Sequence, residues 1–127
     1  MMPSTYKDLD KIFLIGVGGF LGAICRFLLC EPMEAHLGTL SVNVLGSFLL
    51  GLLMYDTEYI GFIGPKGKLA FGTGFIGAFT TFSTFAVQSF NLPFLPALGN
   101  ISVNLFLTLA GVFMGRSTIK ALSGREK

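Results

Sequence analysis

Polar side chains recur in this sequence four positions apart, inside stretches that are otherwise apolar. Asn43 and Ser47 form one such pair, and Asn100, Asn104 and Thr108 form a longer stripe. A third group is contiguous, Thr80-Thr81-Phe82-Ser83-Thr84-Phe85, and follows Gly72, Gly74 and Gly77. All these polar groups are neutral amides or hydroxyls. Held away from bulk water, such groups can replace the hydration shell of a small, strongly hydrated ion. They can equally bond one helix to another, and the residue types alone leave both uses open. Glycine and threonine weaken helix continuity, so the run through Thr80 and Thr81 predicts a break. A break enclosed by protein frees backbone carbonyls that can coordinate a cation. Phe82 and Phe85 lie three apart on one helical face, and an aromatic edge is electropositive. Two rings turned edge-on can accompany an anion, although phenylalanines at this spacing more often pack in a core.

Other chemistries are poorly served. Gly72-x-Gly74-x-x-Gly77 reproduces a dinucleotide-binding string, but it lies in a charge-free run with no strand before it and no acidic partner after it. His36 is the only histidine and falls beside a predicted membrane boundary, which suits an interfacial residue better than a ligand. The sequence offers no metal-ligand cluster, nucleophile triad or carboxylate pair, so nothing points to an enzyme. Cys25 and Cys30 read as packing residues, because unpaired cysteines are commonly buried.

The elements that must hold these residues follow from where charge is missing. Of 127 residues, 52% are hydrophobic and 13% charged, about half the charged share of a soluble domain. So small a soluble domain could not hide that much apolar surface, which leaves an integral membrane protein in a lipid bilayer. A net charge of +2 gives no reason to expect nucleic acid as a partner. No charge falls in the 47 residues between Lys68 and Arg116, nor in the 21 between Glu34 and Asp56, and Ile12 to Cys30 is apolar except for Arg26. A helix needs roughly 20 residues to cross the hydrocarbon core. The longest run is therefore two spans, divided by a turn at Asn91, Pro93 and Pro96. The runs are continuously apolar, not alternating, which selects helices over a barrel. The expected architecture is an all-α, multi-pass membrane protein: one four-helix domain over 1–127, with spans at 12–30, 37–55, 69–90 and 97–115. The first span is not read as a cleaved leader, since Asp8 and Asp10 offset Lys7 and Lys11 and the apolar stretch is too long.

An internal echo runs through the spans. Gly19-Phe20-Leu21-Gly22-Ala23 returns as Gly74-Phe75-Ile76-Gly77-Ala78, and Ser41-Val42-Asn43 as Ser102-Val103-Asn104. Small residues four apart, Gly18 with Gly22, Gly74 with Ala78 and Gly111 with Gly115, suit close helix contacts.

Three longer stretches carry a family likeness. Gly18-Gly19-Phe20-Leu21-Gly22-Ala23-Ile24-Cys25-Arg26-Phe27, Gly38-Thr39-Leu40-Ser41-Val42-Asn43-Val44-Leu45-Gly46-Ser47-Phe48 and Gly74-Phe75-Ile76-Gly77-Ala78-Phe79-Thr80-Thr81-Phe82-Ser83-Thr84-Phe85 resemble the Fluc (CrcB-like) fluoride channels, in order and over all four spans. The resemblance implies an antiparallel, dual-topology dimer in the cell membrane that passively exports toxic fluoride from the cytoplasm. It implies two pores along the dimer interface. Asn43 is then a pore-lining donor, Phe82 and Phe85 the ring-edge ladder, Ser83 and Thr84 pore neighbours, and Thr108 part of the polar track of span four. Arg26 matches an arginine near a pore mouth. A structural sodium ion at the dimer centre is held by the carbonyls of Gly77 and Thr80 from both subunits. Two positions depart from the pattern: Asn104 stands where an aromatic is expected, and Val112 where a small hydroxyl residue is often found. Two rival classes are a small dual-topology multidrug exporter and a non-transporting membrane assembly protein. The exporter needs a carboxylate within span one, and 12–30 contains none.

The charges also bear on assembly. With four spans, both termini and the 56–68 loop share a side. That side holds Lys7, Lys11, Lys66, Lys68, Arg116, Lys120, Arg125 and Lys127, eight of the nine basic residues, and only Arg26 belongs to the other. Lysine and arginine near span ends favour the cytoplasm, so the termini are expected inside. A chain that pairs antiparallel with itself must insert both ways and should show little such bias. The second subunit is therefore either a copy that overrides the bias or a paired homologue of opposite bias.

Overall fold

The computed structural model describes residues 4–124. Its elements are α1 (Ser4–Cys30), α2 (Ala35–Tyr59), α3 (Pro65–Lys68), a π-helical segment (Leu69–Ile76), α4 (Gly77–Phe79), α5 (Phe82–Phe90) and α6 (Phe94–Ser123). Four helical stretches are long and apolar enough to cross a bilayer: Asp8–Cys30, Ala35–Asp56, Pro65–Phe90 and Phe94–Ser123. The described residues contain no strand. All four expected spans are present, and the fourth runs further than the hydropathy suggested.

The proline turn is narrower than expected. Pro93 is the N-cap of α6, and Pro96 already lies in the first helical turn. A proline there is tolerated because first-turn amides have no intrahelical acceptor. The turn itself is Asn91 to Pro93.

The third stretch is the irregular one. Pro65 starts α3 at a position where its missing N–H costs nothing. Eight residues of π-helix follow, then one turn of α-helix. Thr80 (φ −83°, ψ 163°) and Thr81 (φ −148°, ψ 118°) are extended, and helix resumes at Phe82. Thr81 caps the new helix, its Oγ1 accepting from the amide of Thr84 at 3.2 Å.

α1 lies against the π segment and α4, while α2 lies along α6. Glycine permits both contacts. A Cβ on Gly74 would sit 2.6 Å from the carbonyl oxygen of Ile15, and one on Gly111 would sit 2.9 Å from that of Val44. The echoed motifs meet in this packing: Gly19 faces the Gly74 carbonyl at 3.8 Å and the Ala78 Cβ at 3.9 Å. Cys30 packs on Gly38. Cys25, expected to be buried, is exposed on the outer face of α1, where an apolar thiol meets hydrocarbon without penalty.

Few large side chains are buried in the chain itself: Val42, Leu53, Ile76, Phe79 and Ile119. Phe20, Phe82 and Phe106 are 67%, 79% and 68% exposed. Water does not tolerate so continuous an apolar surface, whereas lipid or a second membrane subunit does. The helix ends sort as four alternating spans require. Lys66 reaches Asp10 at 3.7 Å, and the Arg116 guanidinium lies 5.0 Å from the Tyr55 ring centre, at the end bearing most of the charge. Gln88 donates to the Ala35 carbonyl at the other end. Arg125 and Lys127 lie outside the described residues.

Candidate functional site

The interruption in the third stretch is held by two side chains from other helices. In an unbroken helix the Thr81 amide would donate to the Gly77 carbonyl. Instead it donates to Asn43 Oδ1 at 2.9 Å, and Asn43 Nδ2 donates back to the Thr81 carbonyl at 3.1 Å. The primary amide thus pairs with one extended residue as a neighbouring strand would. The next carbonyl upstream, that of Thr80, has lost its helical donor too, because the Thr84 amide turns to Thr81 Oγ1. Arg26 fills the place, its Nη1 donating to Thr80 O at 3.3 Å. Thr80 Oγ1 bonds back to the Ile76 carbonyl at 2.9 Å, and its methyl lies over Gly46, where a Cβ would collide with it.

Beside this clasp runs a groove of about 820 Å³ between α2, the break, α5 and α6. Asn43, Phe82, Phe85 and Thr108, all singled out above, line it, as do Thr80 and Asn104. Ser83 and Thr84 are not among its lining residues; they cluster with Thr81, whose Oγ1 lies 3.4 Å from Ser83 Oγ and 3.0 Å from Thr84 Oγ1. The Phe82 and Phe85 rings lie 5.8 Å apart and are tilted by 56°. Such a tilt lets an edge of one ring and a face of the other share a boundary. Arg26 is not at the groove wall but behind it, on the Thr80 carbonyl.

The donor set at the break suits a hard monovalent cation. The two carbonyls released by it, Gly77 and Thr80, are neutral oxygens of the kind unwound membrane helices offer to sodium. One chain supplies too few of them for a full shell. The described residues hold no cluster of three or more His, Cys, Asp or Glu that would suit another metal.

Sequence reasoning missed three things here. Ser89 is buried and joins α5 to α6, accepting from Asn100 Nδ2 at 2.9 Å. Asp56, only 3% exposed, binds the amides of Phe62 (3.2 Å) and Ile63 (2.9 Å) and so closes the loop into the third stretch. The Asn43–Thr81 pairing was also unseen. For Asp56 the available signal was a lone carboxylate at a span end, six residues before a Gly-rich loop.

The fold and the groove define a multi-pass helical membrane protein whose internal polar groups are neutral and converge on a broken helix. Residues 13–116 match the family model described as CrcB-like protein, Camphor Resistance (CrcB), and the chain belongs to that family. It is 87% identical over 125 residues to the protein named fluoride-specific ion channel FluC 2 of Methanosarcina barkeri, covering 98% of this chain and 99% of the relative. It is 79% identical to FluC 2 of Methanosarcina acetivorans at the same coverage. It is also 40% identical to that organism's second protein, FluC 1, over 83% of this chain and 87% of the relative.

Proposed function

We propose that this chain is a subunit of a fluoride-selective channel that lets toxic fluoride leave the cytoplasm passively. The observation that carries the reading is the clasp. Asn43 and Arg26 hold Thr80 and Thr81 out of helix, and this fixes Phe82 and Phe85 on the same groove as the neutral stripe of α6. The relatives' names add the ion and speak against an enzyme.

The mechanism follows from fluoride's hydration. The ion is small and holds water tightly, so a narrow path must offer replacement donors at each step. Asn43 spends its oxygen and one N–H on Thr81, which leaves its second N–H for an ion. The ring edges of Phe82 and Phe85 provide weak positive potential without a net charge that would trap the ion. Ser83, Thr84 and Thr108 provide hydroxyls nearby. Arg26, paired with the Thr80 carbonyl, supplies positive charge close to the path without blocking it.

The groove is open on one side and needs a lid. We read that lid as a second subunit of the same family, packed antiparallel, with pores at the interface. A sodium ion at the centre would be held by the Gly77 and Thr80 carbonyls of both subunits and would neutralise carbonyls that the break leaves without donors. The second subunit is best read as a paralogue. One organism carries both a FluC 1 and a FluC 2 relative of this chain, and the basic residues of this chain lie almost wholly at one end.

The test is ion flux. Liposomes holding the active assembly should pass fluoride and exclude chloride by a wide margin. Comparable chloride flux would overturn the assignment.

A further inference from the structure

The polar stripe of α6 is bonded in one direction. Asn104 Nδ2 donates to the Asn100 carbonyl at 3.0 Å and to Asn100 Oδ1 at 3.2 Å. Asn100 Nδ2 donates to Ser89 Oγ at 2.9 Å, and Ser89 Oγ donates to the Phe85 carbonyl at 2.9 Å. The Thr108 hydroxyl donates to the Asn104 carbonyl at 2.7 Å. These side-chain protons all point back into the chain. What remains is an acceptor: Asn104 Oδ1 is buried without a partner, on a residue that is 5% exposed and lines the groove. The opposite amide orientation would set Oδ1 against two oxygens of Asn100, so the network fixes which end is free. A buried acceptor without a donor is costly, and few persist in native proteins.

We propose that Asn104 is an acceptor site of the subunit interface, to which a hydroxyl or amide N–H of a FluC 1-type paralogue donates when the second subunit covers the groove. The inference rests on the paired-subunit reading above. Bare fluoride is unsuited to this atom, because an anion and a carbonyl oxygen repel. A second copy of this chain is poorly equipped to supply the donor. On its matching face, Thr80 and Thr108 spend their hydroxyl protons on their own helices, and the Asn43 amide grips Thr81. A paralogue only 40% identical is free to carry a donor there. Asn104 thereby becomes a residue of partner choice, which accounts for a buried polar group where the family pattern has an aromatic.

The experiment measures pairing of this chain with FluC 1 of Methanosarcina acetivorans, by two-colour single-molecule colocalisation at low density in liposomes. Asn104→Leu, close in size but without an acceptor, should weaken pairing about tenfold, the scale of one hydrogen bond. The melting temperature of the chain alone in detergent should hold or rise. Asn104→Thr and Asn104→Val have one shape and differ in the hydroxyl. The Thr variant can return its proton to the carbonyl one turn back, as Thr108 does, and keep an acceptor. It should pair about tenfold more tightly than the Val variant. Equal pairing of Thr and Val variants, or undiminished pairing of a folded Leu variant, overturns the acceptor site and leaves the paired-subunit reading intact. If the parent chain pairs with itself and not with the FluC 1 chain, the paralogue reading falls and the inference falls with it.

Discussion

At the scale of single residues, what matters is which hydrogen-bonding groups are already used. Asn43 was read from the sequence as a donor to a passing ion, and it does line the groove, but two of its bonds hold Thr81. Asn43→Ala should therefore act twice, removing a donor and loosening the break. A fluoride efflux assay should register at least a tenfold drop, with Asn43→Ser retaining part of the rate because a hydroxyl can still reach one partner. Phe82→Ile and Phe85→Ile keep apolar bulk and lose the ring edge, so flux should fall while the thermal melt changes little. Parental flux from all of these would mean that the pore residues lie elsewhere. Asp56 tests the opposite case, a residue important for the fold and remote from the groove. Asp56→Ala leaves the amides of Phe62 and Ile63 without their acceptor, at a cost of roughly 1–3 kcal/mol for each that stays buried. Thermal unfolding in detergent should show that loss, and the protein that still folds should conduct normally. None of these pairings could be read from the sequence. Each joins residues six to 38 positions apart, and whether they meet depends on how far neighbouring helices are rotated and shifted.

Elements were far more legible, for a reason specific to this solvent. Within hydrocarbon a backbone must satisfy its own hydrogen bonds, so an uncharged apolar run of sufficient length is already a helix. The break at Thr80 and Thr81 was signalled by glycine and threonine, and backbone extension is found there. The π segment Leu69–Ile76 gave no such signal, because hydropathy is indifferent to 3.6 or 4.4 residues per turn. Its position has a mechanical reading. Gly74 is pinned against Ile15 and Gly18 of α1, while Thr81 is pinned to Asn43 of α2, and the wider turn takes up the fixed number of residues between the two anchors. Substitutions at the glycines test this. Gly74→Val and Gly22→Val place atoms into the facing backbone, whereas Gly16→Ala meets nothing within 4 Å. The two valine variants should lower the melting temperature by several degrees and reduce flux, since shifting the π segment shifts the break. Gly16→Ala should be neutral or slightly stabilising, as alanine favours helix over glycine by up to about 1 kcal/mol. A melt that ranks Gly16→Ala with the valine variants would show that the close backbone contacts do not set the third stretch in place.

For the molecule as a whole, charge and exposed surface pull on the same question from different sides. The charged end gathers Lys11, Lys66 and Arg116 near one another in space, through the Asp10–Lys66 pair and the stacking of Arg116 on Tyr55, so the bias counted along the chain is also a bias of one face. Basic residues close to span ends resist transfer across the membrane, and only Arg26 opposes them. Yet the groove is open, its Phe82 ring is 79% exposed, and a subunit that covers it in antiparallel fashion must have inserted the other way. A single strongly biased chain has difficulty supplying both orientations. Two chains of opposite bias supply them without conflict, and each is then free to specialise its face, as the acceptor at Asn104 and the apolar Val112 suggest for this one. Expressed alone in intact cells, the chain should place tags on both termini in the cytoplasm and give little fluoride efflux. Co-expression with a FluC 1-type chain should restore efflux, and the partner's termini should map to the opposite side. Moving the bias should move the requirement: replacing Lys66, Lys68 and Lys120 with glutamine, and adding two lysines in the Glu31–Glu34 turn, should yield both orientations of this chain and some activity without a partner. Equal populations of both orientations from the parent chain, with full efflux and no second gene, would establish a homodimer in which packing overrides charge.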